Sequence, residues 1–423
     1  MKVKRVAVIG LGYVGLPTMV AIARSGIHQV VGYDINNERI NVVKKRLSPI
    51  EDFDVKNFLK KNSLNVAADK SILENSNVFI ICVPTPVKNY LPDYSFVKSA
   101  IQTITPYIKK NSHIVLESTV NPGTCKDIII PLLAKKCKLK LGKDYNLAHC
   151  PERINPGDEK WNIYNIDRNI GSVNKKFNKK IAHFYRSYIK ANINEVSSLE
   201  VAEASKIIEN TFRDINIAYV NELAKSFDKL GIDLHETISA ASSKPFSFMP
   251  HWPGCGVGGH CIGVVPYYLI DKAQKNGFDH KFLKLARKIN NSMPQYTVSR
   301  LIYGLKEVGL TLSKSKIALL GLSYKKDLAD LRESPALEVK KELLKHGAIV
   351  KAYDPFVKTD TESLENALKD SVGVILATAH TEFVEKLPKL LSKTKIKVIV
   401  DGRNCLNKKI INKYKIIYKG IGR

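Results

Sequence analysis

Cys261 lies in a glycine-rich stretch, GVGGHCIGVVPYY at residues 256–268, whose residue types could serve catalysis. A nucleophilic thiol needs room for a substrate carbon and nearby groups that lower its pKa, whereas a structural cysteine needs apolar packing. Two glycines and a histidine precede this cysteine, and aromatic residues follow it. The stretch alone leaves both roles open, so the decision depends on the other motifs.

A second motif with chemical meaning is GLGYVG at residues 10–15, which has GxGxxG spacing. It follows the apolar run VKRVAVIG and precedes a helical pattern from about Leu16 to Ser25. Asp34 ends the next predicted strand, QVVGYD. Glycines in such a turn let the backbone approach a pyrophosphate at the helix N-terminus. The motif therefore predicts a dinucleotide site made by Gly10, Gly12, Tyr13, Val14 and Gly15.

Asp34 and Arg39 bear on which dinucleotide binds. A carboxylate at the end of the second strand accepts hydrogen bonds from a ribose diol and repels a 2′-phosphate, which favours NAD over NADP. Arg39 lies nearby in the sequence and could accommodate that phosphate, so a route to NADP stays open. We predict NAD as the cofactor.

Strand and helix patterns alternate around this motif, which predicts a parallel sheet covered by helices. Further strands are predicted in NVFIICVP (77–84) and SHIVLEST (112–119). The same order recurs late in the chain, where SKIALLGLSY, AIVKAYDP, SVGVILATAHT and IKVIVDGRN echo the first four strands. The repeat predicts two Rossmann-like, doubly wound domains. The second copy reads GLSYKK, lacks the full glycine motif, and should bind a different phosphate ligand or none.

A mainly helical segment separates the two copies. Ser197 to Glu200 have capping-box spacing, and a helical pattern follows for some thirty residues. Such a helix is roughly 45 Å long at 1.5 Å per residue, long enough to join two domains. We predict a cofactor-binding domain at 1–196, a central helical domain with catalytic residues and a dimer contact at 197–300, and a second Rossmann-like domain at 313–423.

The composition is that of a soluble protein of two or three domains, with 44% apolar and 25% charged residues among 423. The net charge of +27 suggests an anionic ligand, but the lysines are spread along the chain without a dense basic tract, so we expect no nucleic acid. Seven irregularly spaced cysteines predict free thiols in a reducing compartment and no metal site. We find no apolar run of the ~18 residues that a membrane span needs, and predict a cytoplasmic protein without a membrane contact.

Taken together, the ordered motifs resemble those of the UDP-sugar 6-dehydrogenase family, and the likeness covers nearly the whole chain. The matching segments are GLGYVGLP (10–17), VPTP (83–86), EST (117–119), PERINPGD (151–158), EASKIIENTFRDINIA (203–218), GVGGHCIGV (256–264), GLSYKKDLADLRESP (321–335) and DGRN (401–404). The set is most similar to the branch that acts on UDP-N-acetylhexosamines. UDP-N-acetylmannosamine is the substrate we expect, and the motifs do not separate it cleanly from the gluco and galacto sugars.

The resemblance implies that the C6 alcohol of the sugar is oxidised twice, to a carboxylate, with two NAD+ per turnover. Cys261 would form a thiohemiacetal that is oxidised to a thioester and then hydrolysed, and its flanking glycines would keep its surroundings open to the sugar. Lys206 would stabilise the developing oxyanion, and Asn210, four residues on, would add a neutral donor. Glu152 would position or deprotonate the hydrolytic water.

The same resemblance implies the remaining site residues. Those around the cofactor are Pro84, Thr85, Thr119 and Arg332, the last of which would reach the NAD pyrophosphate. Those around the UDP-sugar are Arg153, Ile154, Arg213, Gly258, Lys325 and Arg403, together with Lys206 and Asn210. Tyr267 and Tyr268 would pack near the sugar or uridine or would belong to the core, and the sequence leaves both open. The family's homodimers imply a homodimer here.

One position departs from the family pattern, because Val265 stands where the family carries an aspartate four residues after the cysteine. Glu152 or Asp271 could substitute for that acid, Lys206 could act alone at a lower rate, or the chain could bind its ligands with poor turnover. The alternative function is therefore a catalytically impaired nucleotide-sugar-binding homologue. A third hypothesis is a β-hydroxyacid dehydrogenase, which oxidises its substrate in a single step. The thiol motif and the second Rossmann-like half argue against it.

Overall fold

The structure is a computed structural model that describes residues 4–88, 91–154 and 160–423, with His260 and Cys261 described by their backbone alone. The chain forms two compact units. The first unit comprises Met1–Glu209 and Tyr267–Gly277, and the second comprises Asn210–Pro266 and Phe278–Arg423. The three domain boundaries that the sequence suggests stay a prediction.

The first unit contains a mainly parallel sheet of eight described strands and a separate two-stranded hairpin. Its strands are β1 Arg5–Ile9, β2 Gln29–Tyr33, β3 Asn65–Ala67, β4 Val78–Ile81, β5 Val87–Lys88, β6 Leu91–Pro92, β7 His113–Leu116, β8 Asn146–His149, β9 Arg168–Ser172 and β10 Ile193–Glu195. Its α-helices, apart from those of the central segment, are α1 Gly15–Ser25, α2 Asn37–Lys44, α3 Phe53–Lys61, α4 Ser95–Ile104, α5 Ile130–Lys136 and α6 Lys175–Arg186, and a π-helix, Cys125–Ile129, precedes α5.

Within the described residues the strand order is β10-β9-β8-β7-β4-β1-β2-β3, and β5 pairs with β6 in a separate hairpin. Strand β9 runs antiparallel to β8, so the purely parallel sheet that we predict is wrong at this edge. Side chains of β1 alternate between two buried clusters, with Val6 and Val8 in one and Ala7 and Ile9 in the other. Because helices cover both faces, β1 reads as a continuous apolar run.

The second unit contains the repeat that the sequence predicts. Its strands are β11 Lys316–Leu320, β12 Ile349–Tyr353, β13 Gly373–Leu376, β14 Val398–Asp401 and β15 Ile417–Gly420. They form a parallel sheet in the order β12-β11-β13-β14-β15. The helices outside the central segment are α12 Pro335–Lys345, α13 Leu364–Leu368, α14 Thr381–Leu390 and α15 Lys408–Asn412. The predicted fold class is confirmed, with β15 as a strand that we do not predict.

The central segment is helical, as predicted. Its helices are α7 Leu199–Leu230, α8 Leu234–Ala241, α9 His260–Lys275, α10 Lys281–Asn291 and α11 Met293–Glu307. Helix α7 has 32 residues. The side-chain oxygen of Ser198 accepts a hydrogen bond from the Val201 N–H at 3.3 Å, so the N-cap is Ser198. The capping box predicted from Ser197 to Glu200 is therefore wrong by one residue, because the residue three after the true cap is a valine.

Candidate active site

The GLGYVG loop has one glycine that faces open space and two that the fold itself requires. A Cβ on Gly10, which has a φ of +89°, would lie 2.9 Å from the carbonyl oxygen of Cys82, and one on Gly15 would lie 1.9 Å from the carbonyl oxygen of Gly10. A Cβ on Gly12 would meet no described atom within 4 Å. The room over Gly12, at the start of α1, fits the pyrophosphate of a dinucleotide. Tyr13 and Val14 complete the turn into the helix.

Asp34 follows β2 directly and is buried. Its carboxylate accepts hydrogen bonds from the Leu11 N–H at 2.8 Å and the Asn36 N–H at 2.9 Å. The Arg39 guanidinium lies 2.9 Å from the same carboxylate and neutralises part of its charge. Asp34 thus ties the second strand to the glycine turn, which is the position from which an acid contacts an adenosine ribose.

Thr85 and Thr119 meet in the first unit, whereas Pro84 is exposed beside them. The Thr85 hydroxyl donates to the Thr119 carbonyl at 2.8 Å. The hydroxyl of Tyr268, which is fully buried on α9, donates to the Thr85 carbonyl. Tyr268 therefore packs in the core and supports Thr85, which favours the core role that the sequence left open, and its sugar or uridine contact stays a prediction.

Glu152 follows β8 and is buried, and each of its oxygens has a partner. Oε1 accepts hydrogen bonds from the N–H groups of Arg153 at 2.6 Å and Ile154 at 2.7 Å. Oε2 forms an ion pair with Arg168. Arg153 in turn pairs with Glu209 of α7 at 2.9 Å. Residues 155–159 of the PERINPGD segment lie outside the described residues.

Sequence reasoning gave no role to Arg168, a fully buried guanidinium on β9. Besides Glu152, the Arg168 guanidinium approaches Glu117, whose Oε1 lies 3.7 Å from it. The same Glu117 oxygen accepts a hydrogen bond from the Tyr185 hydroxyl at 2.6 Å. Burial raises the pKa of Glu117, the Arg168 charge opposes this rise, and the Glu152 charge adds to it. The one signal in the sequence was the EST motif, which begins at Glu117.

Lys206 and Asn210 lie one turn apart on α7 and are each 8% exposed. The Asn210 side-chain nitrogen is buried and makes no hydrogen bond to the described part of the chain. A buried amide donor without a protein acceptor favours a ligand oxygen as its partner. Arg213 is exposed, three residues further along the helix.

Glu203 is a second buried acid that the sequence reasoning missed. Its carboxylate accepts hydrogen bonds from the backbone N–H groups of Gly123 at 2.5 Å and Cys125 at 2.8 Å. It thereby holds the loop after β7, which carries Thr119, against the part of α7 that carries Lys206. Burial raises the pKa of Glu203 to about 7, although both backbone bonds oppose that rise. Glu203 lies three residues before Lys206, and this spacing could have suggested that the two side chains lie on the same face of α7.

The glycines before Cys261 serve packing, which corrects the reason we expected for them. A Cβ on Gly258 would lie 2.6 Å from the Cβ of Tyr324, and one on Gly259 would lie 2.7 Å from the same ring. A Cβ on Gly256, which has a φ of +135°, would lie 2.9 Å from Pro335. The bare backbone therefore lets a neighbouring aromatic ring and a proline approach closely. The Cys261 side chain lies outside the described residues, and its backbone is in the first turn of α9.

Val265 lies on α9 and is buried, and Tyr267 is half-buried two residues further on. Asp271, considered as a substitute acid, pairs with Lys275 at 2.8 Å. Glu152, the other candidate substitute, is engaged by Arg168. Neither acid is therefore free of a partner, and position 265 itself is apolar.

The second unit carries the three remaining cationic residues of the predicted site. Arg403 is half-buried, donates to the Ala377 carbonyl at 3.0 Å, and lies beside Gly254. Lys325 is half-buried in the loop after β11, and Arg332 pairs with Asp330 at 2.6 Å. These loops follow the carboxyl ends of parallel strands, where ligands of open α/β sheets bind. Within the described residues no group of His, Cys, Asp and Glu side chains has the arrangement of a metal site.

A glycine turn at the start of α1, an acid after β2, and a buried lysine and amide on one helix define a Rossmann-type NAD-dependent oxidoreductase. The chain belongs to the UDP-glucose/GDP-mannose dehydrogenase family. It matches that family's NAD binding domain over residues 4–189, its central domain over 200–292 and its UDP binding domain over 318–408.

Relatives match along the whole chain. It is 37% identical over 425 residues to the UDP-N-acetyl-D-mannosamine dehydrogenase of Pyrococcus horikoshii, with 99% of each chain covered. It is 36% identical to the UDP-N-acetyl-D-glucosamine 6-dehydrogenase of Pseudomonas aeruginosa, with 90% of this chain and 92% of the relative covered. A solved structure of the Pyrococcus horikoshii UDP-D-ManNAc dehydrogenase superposes with a TM-score of 0.93 and covers 99% of each chain.

Proposed function

We propose that this protein oxidises the C6 hydroxyl of a UDP-N-acetylhexosamine, with UDP-N-acetyl-D-mannosamine as the expected substrate, to the uronate. The observation that carries the proposal is the full-length similarity to a UDP-N-acetyl-D-mannosamine dehydrogenase at 37% identity. A relative at 36% identity acts, by its name, on the gluco sugar, so the configuration at C2 is the finer part of the proposal.

The overall reaction converts the primary alcohol, two NAD+ and one water into the carboxylate, two NADH and three protons. Each of the two NAD+ molecules, when bound in turn, would accept one hydride. Lys206 and the free N–H of Asn210 stabilise the oxygen at C6 as it becomes negative. The Cys261 thiol adds to the aldehyde carbon, the second oxidation leaves a thioester on its sulfur, and water releases the acid with the help of Glu152.

The exposed side of α7 supports a homodimer. Large apolar residues on this helix stay in contact with solvent, and they recur at helical spacing: Val201, Ile208, Phe212 and Tyr219. An apolar stripe on the outside of a helix is typical of a contact between chains. Size-exclusion chromatography with light scattering tests the state of the wild type, and Ile208→Lys should shift a dimer towards monomer.

Cytoplasmic location is part of the proposal. Free thiols at six described cysteines fit a reducing compartment. In the ranges that the structure describes, no helix is long and apolar enough to cross a membrane.

The test of the function is the NADH yield at limiting UDP-sugar, with UDP-N-acetylmannosamine, UDP-N-acetylglucosamine, UDP-N-acetylgalactosamine and UDP-glucose in parallel. We expect two NADH per molecule of one sugar, and no complete oxidation by Cys261→Ala. Saturable binding of NAD and UDP-sugar without any NADH would instead support the impaired binding homologue.

A further inference from the structure

A buried ion pair in the first unit reaches a residue of the proposed chemistry. Arg168 lies on β9, at the antiparallel edge of the sheet, and Glu152 lies just after β8. Both residues are buried, and the guanidinium has no exposed surface. A buried charge is costly without a partner, so a fully buried arginine indicates a fixed arrangement of its acids.

Glu152 is held by contacts on both carboxylate oxygens. Oε1 accepts two backbone hydrogen bonds, from Arg153 and Ile154, and so shapes the start of the segment predicted to line the sugar pocket. Oε2 approaches Arg168 as an ion pair but makes no directional hydrogen bond to the described residues. This oxygen is buried against the guanidinium, so Arg168 fixes the orientation of the whole carboxylate.

The far side of Arg168 is fixed as well. Glu117 lies 3.7 Å from the guanidinium, and the Arg168 group also lies over the Tyr185 ring at 5.9 Å. The hydroxyls of Tyr185 and Thr18 donate to Glu117 at 2.6 and 3.3 Å. Strands β7, β8 and β9 and helices α1 and α6 therefore all contribute to the orientation of one guanidinium.

We infer that Arg168 is a positioning residue, which orients the Glu152 carboxylate for hydrolysis of the thioester. The inference rests on the proposed function and adds a residue to its hydrolysis step. Both hydrides leave before hydrolysis, so a fault in this step should leave the oxidations intact. Lysine, as a compact point charge, could pair with Glu152 but could not span both acids as a planar guanidinium does.

The experiment is rapid mixing of enzyme with saturating NAD and the UDP-sugar that the wild type oxidises, for the wild type, Arg168→Met and Arg168→Lys. We expect a burst of about two NADH per site in each protein. The later steady rate should fall about 10- to 100-fold in Arg168→Met and less in Arg168→Lys. Both variants keep Glu152 itself, so they should lose less than the roughly 10²- to 10⁴-fold contribution of a general acid or base.

Arg186→Met is the matched control, because Arg186 pairs with Glu195 at 3.4 Å on the exposed surface of the same unit. It should match the wild type in burst and steady rate. A wild-type steady rate in Arg168→Met would overturn the inference, and so would a lost burst in the folded Arg168→Lys. If Arg168→Met does not fold, Arg168→Lys decides by the same two measurements. A wild type that gives no NADH with any UDP-sugar refutes the proposed function itself, and the role of Arg168 with it.

Discussion

The glycines of the dinucleotide turn allow fold and cofactor effects to be separated by single methyl groups. Gly12→Ala adds a Cβ that meets no described atom within 4 Å. Gly12 does not have a positive φ, so its backbone accommodates alanine without strain. Alanine there should stabilise the folded chain by about 0.4–1 kcal/mol, because it restricts the unfolded state. The same methyl group occupies the space in which we place the pyrophosphate, so NAD binding should weaken at least tenfold, or by about 1.4 kcal/mol.

Gly15→Ala should do the opposite. Its Cβ would lie 1.9 Å from the Gly10 carbonyl oxygen, where an ordinary contact begins at 3.4 Å. The turn and α1 would have to move apart by about 1.5 Å, and overpacking of this kind costs about 1–3 kcal/mol or more. The two alanine variants should therefore differ in the sign of their effect on the free energy of unfolding.

The assay combines thermal unfolding with isothermal titration of NAD. Gly26→Ala is the control, because Gly26 ends the same helix in the left-handed region, with a φ of +65° and no neighbour within 4 Å of its Cβ. It should lower the melting temperature slightly and leave NAD affinity unchanged. Wild-type NAD affinity in a stable Gly12→Ala protein would refute the placement of the pyrophosphate over Gly12.

Three further predictions follow from single side chains. The pKa of Glu203 is about 7 in the folded protein and near 4.5 in the unfolded chain, so the folded state binds more protons between these pH values. The free energy of unfolding should therefore fall by about 3 kcal/mol as pH rises through this range. Glu203→Gln should flatten that fall in melting curves from pH 5 to 8. Val265→Asp buries a charge and should melt well below Val265→Ala, and equal melting temperatures would contradict this. Arg39→Ala leaves the Asp34 carboxylate in place, so NAD should still bind at least about tenfold more tightly than NADP in titrations, and a reversed preference would show that the acid does not select the cofactor.

The cofactor turn could be predicted from the sequence because its parts are local. The first strand, the three glycines and Asp34 lie within the first 34 residues, and each has a distinct conformational or chemical reason. The close packing of Gly258 and Gly259 could not be predicted in this way. Its cause is Tyr324, more than sixty residues further along the chain. The sequence alone does not distinguish a glycine that faces a ligand from one that packs against an aromatic ring.

Arg168 was missed for a related reason. Its two acids lie at the ends of β7 and β8, and only the order and direction of the strands bring them to one guanidinium. The antiparallel β9 breaks the alternating pattern from which the parallel sheet is predicted. An arginine in a strand also gives no local sign of burial, because arginine is mostly exposed in proteins.

The two Rossmann-like sheets show how the same fold position can be used differently. Asp354 follows β12 as Asp34 follows β2, and it too accepts a hydrogen bond from the turn after the first strand, at Leu322. Asp354 also accepts from the N–H and hydroxyl of Ser323 and lies 3.1 Å from Nε2 of His380.

Nδ1 of His380 accepts a hydrogen bond from the Asp327 N–H at 2.9 Å, so the ring proton is on Nε2 and points to Asp354. Burial raises the pKa of Asp354, but the bonds from His380 and Ser323 outweigh it and lower that pKa. Four protein donors converge on Oδ2 of Asp354, whereas two reach Oδ2 of Asp34, so Asp354 is the less available of the two acids to a ribose diol. The second sheet therefore keeps the geometry of a dinucleotide fold but uses its acid for internal hydrogen bonds, which agrees with the lost GxGxxG motif and with the match of this region to a UDP binding domain.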